Sequence, residues 1–274
     1  MNVRGGLVRP IFTAAVASGR FALRRAASHF TSDPVLDTIL VDVDRTITVE
    51  DSPKLALQKL CGKEKAKEIM DGFLLDVLKG KISLDDLPTA VFSKLYSCGF
   101  KQSDWISIME ELDRSGGFRK ELIDAILTIA RATGMTSVIA TRASKTSANW
   151  IARQFGFDFA IGSEEKLRNG TFDGFETIIG AYDKTSDGTR VLTKISATSE
   201  VMTRAGRSFD PKHAAVLSND LLDALEMLRS ARGILLVPQN KNSLERLTLF
   251  LRLYDVKVRE DRDMKIELAG ALGI

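Results

Sequence analysis

The sequence predicts an α/β protein whose core is a doubly wound, Rossmann-like parallel sheet, with a helical segment inserted after the first core strand. Short apolar runs of strand length recur along the chain, and helical patterns separate them. The runs are Ile39–Val41, Met135–Ala140, Ala214–Leu217 and Gly233–Val237. Parallel strands need helical crossovers, so this alternation favours a parallel sheet. With 274 residues, 44% of them hydrophobic, the chain can bury a full core and an additional helical unit.

The first strand ends in two carboxylates. Asp42 and Asp44 follow the run Ile39–Val41 at alternate positions, and Thr46 takes the next alternate position. Residues i and i+2 of a strand share a face, and ligands of open α/β sheets bind at the carboxyl ends of the strands. Two neighbouring acids repel each other, and a Mg²⁺ ion held together with a phosphate ester would compensate their charge. Solvated acids at a strand end are the alternative interpretation.

Between the first two strands the chain has helical patterns over residues 48–115. Ser52 is predicted to cap a first helix, and a second runs from about Glu64 to Leu78. A third helix is predicted to restart with Ser83 as its cap, and a fourth spans about Asp104–Leu112. This insert is too long for a simple loop, so it is predicted to form a helical unit of its own.

The later strands also end in polar residues. Met135–Thr141 closes on a hydroxyl, and Ser144 then begins a helix that runs to about Phe155. Another helical stretch is predicted to start at Val191–Ile195, and it contains Lys194. The next apolar run leads into a further polar set, Ser218, Asn219 and Asp223.

These motifs, in this order, resemble those of the haloacid dehalogenase superfamily of phosphohydrolases, and most of all the branch that contains the phosphoserine phosphatases. The resemblance covers about 37–258, and the segment 161–174 is similar to the family's hairpin after its second motif. The family's motifs are D-x-D-x-T, a Ser or Thr ending the next core strand, a Lys opening a helix, and an acidic strand end, commonly G-D-x-x-x-D. The matching residues are Asp42, Asp44 and Thr46, then Thr141, then Lys194, then Ser218, Asn219 and Asp223.

The resemblance implies a role for each catalytic residue. Asp42 would be the nucleophile that forms an aspartyl-phosphate, and Asp44 would be the general acid and base. Thr141 and Lys194 would bind the phosphoryl group. Lys184, which lies in a loop-like segment, competes with Lys194 for the position of the third motif.

The resemblance also implies a Mg²⁺ site formed by Asp42, the backbone carbonyl of Asp44, Asn219 and Asp223. Asn219 departs from the family, which usually has Asp there, and the loss of a carboxylate should lower metal affinity. A one-residue shift of the motif would put Asp220 in the ligand position instead. We therefore expect a Mg²⁺-dependent phosphomonoesterase, and the alternative is a noncatalytic binding or regulatory protein with a weakened metal site.

Residues 48–115 are similar to the helical cap that covers the active site in the phosphoserine phosphatase branch. The resemblance places Asp51 where a Glu binds the substrate amine, although Asp is shorter. The cap shows no convincing counterpart of the arginine that those enzymes use for the substrate carboxylate. A small-molecule phosphate ester is therefore the expected ligand, with phosphoserine not favoured and a phosphosugar or phosphoprotein as further alternatives.

The charge distribution sets the N-terminus apart. The net charge is +3, but residues 1–32 carry five arginines and no acid, and the remaining 34 basic and 36 acidic residues are nearly balanced. Arg, Ala and Ser among apolar residues are typical of a mitochondrial or other organellar targeting segment if the protein is eukaryotic; a packed helix, a surface anchor and a cytoplasmic protein are the alternatives. The slightly acidic remainder argues against nucleic acid as a partner.

Composition bounds the remaining segments. Apolar runs stay shorter than a membrane span, so no integral membrane segment is expected. The expected core comprises 37–47 and 116–258, and residues 259–274 form a C-terminal tail. The two cysteines, Cys61 and Cys98, favour a reducing compartment.

Overall fold

The computed structural model of this protein describes residues 35–83, 86–169, 171–180, 182–186, 188–219, 223, 230, 232–237 and 256–259. The predictions for the N-terminal extension 1–32, for Asp220 and for tail residues 260–274 lie outside the described residues. The described part forms a nine-stranded sheet in the order β5-β6-β4-β3-β2-β1-β7-β8-β9. Its strands are β1 Thr38–Val41, β2 Thr136–Ser144, β3 Phe159–Arg168, β4 Thr171–Ile179, β5 Lys184–Ser186, β6 Thr189–Leu192, β7 Ala214–Ser218, β8 Arg232–Val237 and β9 Val256–Arg259.

Strand β1 lies at the centre of the sheet, between β2 and β7. Leu40 pairs with Val138 of β2 and with Val216 of β7, and both pairings are parallel. The six strands in the run β3-β2-β1-β7-β8-β9 are parallel to one another. A strand that has a neighbour on each side and is covered on both faces needs apolar side chains throughout. The short apolar run before Asp42 therefore predicts such a strand. The doubly wound α/β core is confirmed.

Among the described residues, seven α-helices accompany the sheet. Residues of α5 and α6 join the hydrophobic cluster that contains Ile39 and Val41, whereas Ala197 of α7 joins the cluster that contains Leu40. The helices therefore cover both faces of the sheet. They are α1 Ser52–Cys61, α2 Lys63–Leu78, α3 Leu87–Ser97, α4 Asp104–Arg114, α5 Lys120–Thr133, α6 Lys145–Phe155 and α7 Lys194–Arg204.

Several element boundaries differ from those expected. Ser144 caps α6 as predicted, and its side chain accepts from the Thr146 amide. The predicted helical start at Val191 is wrong, because Val191 and Leu192 belong to β6 and the helix begins after its cap, Thr193. These residues pair with β4 at the sheet, and that pairing has no signal in the local sequence.

Helices α1–α4 form the insertion between β1 and β2. Asp51, not Ser52, occupies the cap position of α1, and α3 begins at Leu87, later than a cap at Ser83 predicts. The Ser83 hydroxyl instead accepts from the Asp86 amide at 3.1 Å in the preceding turn. The chain leaves and re-enters the core at adjacent points, where the Val49 amide donates to the Gly117 carbonyl at 2.9 Å.

Aromatic side chains join the insertion to the β3–β4 hairpin. The Phe92 ring lies 5.2 Å from Trp105 and 5.0 Å from Phe175, measured between centroids. Tyr96 stacks on Phe172 at 5.1 Å. Such contacts bury large apolar areas, so the insertion is packed against the core and not only tethered to it. Within the described ranges, no helix is both long and apolar enough to cross a membrane.

Candidate active site

The candidate site lies at the carboxyl ends of β1, β2 and β7. Asp42 follows β1 directly, and its amide donates to the Leu217 carbonyl of β7 at 2.9 Å. The chain then turns tightly over Val43–Ile47, which presents Asp44 and Thr46 near the same strand end. The strand order changes direction beside β1, with β2 and β3 on one side and β7 and β8 on the other, so this is the switch point at which doubly wound sheets bind ligands.

A buried ion cluster occupies the centre of the site. Lys194 Nζ lies 2.6 Å from Asp42 Oδ1 and 2.6 Å from Asp223 Oδ2, and its side chain is only 2% exposed. Arg142 Nη2 lies 3.1 Å from Asp223 Oδ1. Burial alone would raise the pKa of Asp223, but the charges of Lys194 and Arg142 outweigh it and hold that pKa below its ordinary value. The cluster therefore keeps a lysine charge beside the predicted nucleophile.

Thr46 links the first motif to the fourth. Its Oγ1 lies 2.9 Å from Asp42 Oδ2 and 3.1 Å from Asn219 Oδ1, and it accepts from the Asn219 amide at 3.1 Å. The hydroxyl has one hydrogen and can donate to only one of the two oxygens at a time. The side chain of Asn219 is thus linked to Asp42 through a single hydroxyl group.

Asp44 has the environment of a proton donor. The Ser52 amide, in the first turn of α1, donates to its Oδ1 at 2.7 Å. Loss of water around the carboxyl raises its pKa to about 7, and repulsion from Asp42 and Asp51 adds to the shift. A carboxyl group with a pKa near neutrality can both give and take a proton at physiological pH.

Thr141 and Asp51 lie on two sides of this arrangement. Thr141 is buried in β2, two residues beyond the partner of Val41, and its hydroxyl accepts from the Ala143 amide at 3.0 Å. Asp51 lies beside Asp44 and forms an ion pair with the guanidinium of Arg45. An amine ligand for Asp51 would therefore have to displace Arg45. Lys184 lies in the edge strand β5, so Lys194 is the lysine that contacts Asp42.

The donor set around Asp42 suits a hard cation. Asp42 and Asn219 offer side-chain oxygens joined through Thr46, and the backbone carbonyl of Asp44 is the further ligand that the sequence predicts. Asp223 was expected as a ligand, yet its two carboxylate oxygens face Lys194 and Arg142. Among the described residues, no three His, Cys, Asp or Glu side chains gather as a metal site. Mg²⁺ often binds through one or two carboxylates and keeps several waters, so these residues fit the ion. They supply only a small negative charge to it.

Two arginines at this site were missed by sequence reasoning. Arg142 follows Thr141 directly, and a cation beside a strand-end hydroxyl is a signal that could have identified it. Arg119 donates to the carbonyls of Arg45 and Thr46, each at 2.9 Å, and to that of Thr48. No local pattern marks Arg119, because its partners lie more than seventy residues earlier.

No known family profile matches this sequence, and no curated protein does. Solved structures do match. Cytosolic 5'-nucleotidase IIIB bound to cytidine is 16% identical, with a TM-score of 0.60 over 93% of this chain and 89% of that one. A phosphoserine phosphatase solved as a phospho-aspartyl intermediate analogue is 12% identical, with a TM-score of 0.51 over 86% of this chain and 98% of that one.

A haloacid dehalogenase family hydrolase from Salmonella enterica serovar Typhi is 13% identical, with a TM-score of 0.53. The match covers 74% of this chain and 63% of that one. At these identities the likeness establishes the fold. The chain has the fold of the haloacid dehalogenase superfamily phosphatases, as its motifs predict.

Proposed function

We propose that this protein is a Mg²⁺-dependent phosphomonoesterase that hydrolyses a small organic phosphate through an aspartyl-phosphate on Asp42. The observation that carries the proposal is the buried contact of Lys194 with Asp42 at the switch point, with Asp44 two residues further along the same strand end. A carboxylate nucleophile, a fixed cation and a second carboxyl group with a pKa near 7 are the parts that such a reaction requires.

In the first step, a carboxylate oxygen of Asp42 attacks phosphorus and forms a new O–P bond. The bond between phosphorus and the ester oxygen breaks, and that oxygen takes the proton of Asp44. In the second step, Asp44 takes a proton from water, and the water oxygen attacks the phosphorus of the aspartyl-phosphate. Inorganic phosphate leaves, and both carboxyl groups return to their starting states.

Other residues hold the phosphoryl group and the nucleophile in place. Lys194 neutralises negative charge on the phosphoryl oxygens, and the Thr141 hydroxyl donates to one of them. We assign Asp223 to the orientation of Lys194, because their 2.6 Å contact is fully buried. Asp223 is therefore not proposed as a direct metal ligand.

The metal would be held by Asp42, by the backbone carbonyl of Asp44 and by Asn219. When bound, Mg²⁺ supplies positive charge to the phosphoryl oxygens and to the nucleophile. The small number of carboxylates predicts weak affinity for the ion. Asn219 stands where a carboxylate is expected. The resulting weak metal site favours the second candidate, a noncatalytic binding or regulatory protein.

The insertion over residues 48–115 is proposed to act as a cap that covers the site and contacts the leaving group. Its first helix supplies the Ser52 amide to Asp44, and Asp51 and Arg45 lie beside that carboxyl. The leaving group departs from the Asp44 side, so these residues are placed to distinguish one phosphate ester from another. The nucleotidase and phosphoserine phosphatase neighbours both act on small phosphate esters, which supports that substrate class.

The proposal is tested by the hydrolysis of p-nitrophenyl phosphate with and without Mg²⁺, in wild type and Asp42→Asn. Because an amide is a poor nucleophile of nearly the same shape, Asp42→Asn should lose at least about a thousandfold in rate while remaining folded at the assay temperature. Asp71→Asn is the matched control, since Asp71 is exposed on α2 and its ion pair is with Lys67 of its own helix. More than about a tenth of wild-type activity in Asp42→Asn would refute the assignment. A wild type inactive on every phosphate ester would support the noncatalytic candidate.

A further inference from the structure

Arg119 forms hydrogen bonds to the turn that carries Asp44 and Thr46. It occupies the cap position of α5, where the chain returns from the insertion to the core. Its Nη1 donates to the carbonyls of Arg45 and Thr46, each at 2.9 Å, and to that of Thr48. Its backbone amide donates to the carbonyl of Ile47 at 2.8 Å. One residue thus contacts four consecutive carbonyls of the turn.

The turn needs external support because its backbone is unfavourable. Arg45 has a φ of 61°, in the left-handed region that residues with a Cβ rarely adopt. Such conformations persist where the surroundings over-determine them, and they cluster at functional sites. Thr48 supports the turn from within, since its hydroxyl accepts from the Arg45 amide at 3.1 Å and lies 3.0 Å from the Val43 carbonyl. Arg119 supports it from outside.

The geometry of the turn decides where two functional side chains lie. Asp44 stands one residue before Arg45, and Thr46, whose hydroxyl contacts Asp42, stands one residue after it. A change in the backbone at Arg45 would move both side chains relative to Asp42. All three side-chain contacts come from one guanidinium nitrogen, which the rigid planar group holds in place, whereas a lysine ammonium sits on a flexible stem and is not held in the same way.

We propose that Arg119 is a positioning residue for catalysis. It holds the turn so that the Asp44 carboxyl points at the leaving oxygen, and it ties this geometry to the base of the insertion. Thr48 and Phe118 form an antiparallel β-bridge next to Arg119. The segments that enter and leave the insertion therefore contact each other at the same place that Arg119 contacts the turn. The proposal rests on the proposed phosphatase function and adds to it a residue that touches neither substrate nor metal.

The test compares two aryl phosphates of similar shape, p-nitrophenyl phosphate and phenyl phosphate, in wild type and Arg119→Gln. Nitrophenolate leaves without a proton, whereas phenolate needs one from a well-placed acid. With enzyme in excess of substrate, a single turnover isolates the first step from the attack of water that both substrates share; we expect the rate of phenol release to fall about 10- to 100-fold and the rate of nitrophenol release to fall less than about threefold. Arg119→Lys should lie between wild type and Arg119→Gln.

Arg114→Gln is the matched control, because Arg114 is exposed on α4 and its Nε donates to the Glu110 carbonyl of its own helix. It should leave both rates unchanged. Equal losses for the two substrates in Arg119→Gln would overturn the positioning role, and so would unchanged rates for both. Equal losses are what a general loss of folded protein would produce.

A second measurement separates this proposal from the phosphatase proposal. Hydrogen exchange of the backbone amides in the peptide spanning residues 43–52 reports the turn directly, without any substrate. Arg119→Gln should speed their exchange by about tenfold or more, and Arg114→Gln should not. If wild type hydrolyses no phosphate ester, the phosphatase proposal fails, and the exchange rates still decide whether Arg119 holds the turn. Unchanged exchange in Arg119→Gln would overturn it.

Discussion

Replacing Lys194 with methionine should damage stability and activity together. Methionine keeps the length and apolar body of the side chain but removes the ammonium between Asp42 and Asp223. Both carboxylates lie 2.6 Å from Nζ, and the lysine, Asp42 and Asp223 are 2%, 9% and 1% exposed. The variant therefore leaves two acids buried next to each other without the cation that separates them.

The expected loss of stability follows from this burial. Removing one partner from a buried ion pair costs about 3–5 kcal/mol, because the remaining charge is uncompensated. For a chain of this size each kcal/mol shifts the melting temperature by about 2–4 °C, so Lys194→Met should melt about 6–20 °C below wild type at pH 7. Hydrolysis of p-nitrophenyl phosphate should fall by at least about a hundredfold, since a fixed charge on the phosphoryl group is lost.

The assay is thermal unfolding from pH 8 to pH 3, with Lys145→Met as the control. Lys145 also makes one close carboxylate contact, 2.9 Å to Glu164, but the two side chains are 36% and 42% exposed. Water screens that pair, so its removal should cost less than about 1 kcal/mol. Equal melting temperatures for the two variants would refute the argument from burial.

The pH dependence gives an independent check on Lys194→Met. In wild type, Lys194 helps to hold the pKa of Asp223 below its ordinary 3.8, which adds stability at neutral pH that is lost as the pH falls through the lowered value. The variant lacks most of this contribution. The gap in melting temperature should therefore be widest near neutral pH and begin to narrow as the pH approaches 3.8. A gap that widens on acidification would contradict this cause.

Two further predictions concern other carboxyl positions. Asn219→Asp should lower the Mg²⁺ concentration needed for half-maximal activity several-fold, because it adds a carboxylate to the donor set. Calorimetric titration should show tighter binding of Mg²⁺ to this variant. A higher Mg²⁺ requirement would argue for the shifted motif. Glu165 is buried, and burial raises its pKa above the ordinary 4.5, so it lowers stability increasingly as the pH rises past that value. Glu165→Gln should therefore melt above wild type at pH 8 and level with it near pH 4, whereas Glu164→Gln, at an exposed neighbour, should show no such trend.

Strands buried on both faces are the part of this fold that a sequence predicts well. β1, β2 and β7 lie at the centre of the sheet, and each needs apolar residues on both sides. Their carboxyl ends are polar for a different reason, the chemistry of the site, so the change from apolar to polar marks both the strand and the site. The family resemblance, not this pattern, assigned Lys194 to the same site as Asp42, and the two side chains do lie in contact.

Short edge strands and long-range contacts carry much weaker signals. β5 has three residues, and β6 follows it with Arg190 among its four, so neither shows a readable apolar pattern. Arg119 is undistinguished in its own segment, because its role depends on carbonyl groups, which every residue has. The ion pair between Arg45 and Asp51 also could not be predicted from the sequence. The two side chains meet because the intervening turn reverses the chain.

The central place of β1 has a consequence for how the chain folds during synthesis. β1 is made early in synthesis, yet its partner β7 comes about 175 residues later. At about 5–20 residues per second, roughly 9–35 s pass before that partner exists. During this time one edge of this buried strand is open to other chains. Shielding of Thr38–Val41 during synthesis would therefore limit wrong pairing with other chains before β7 is made.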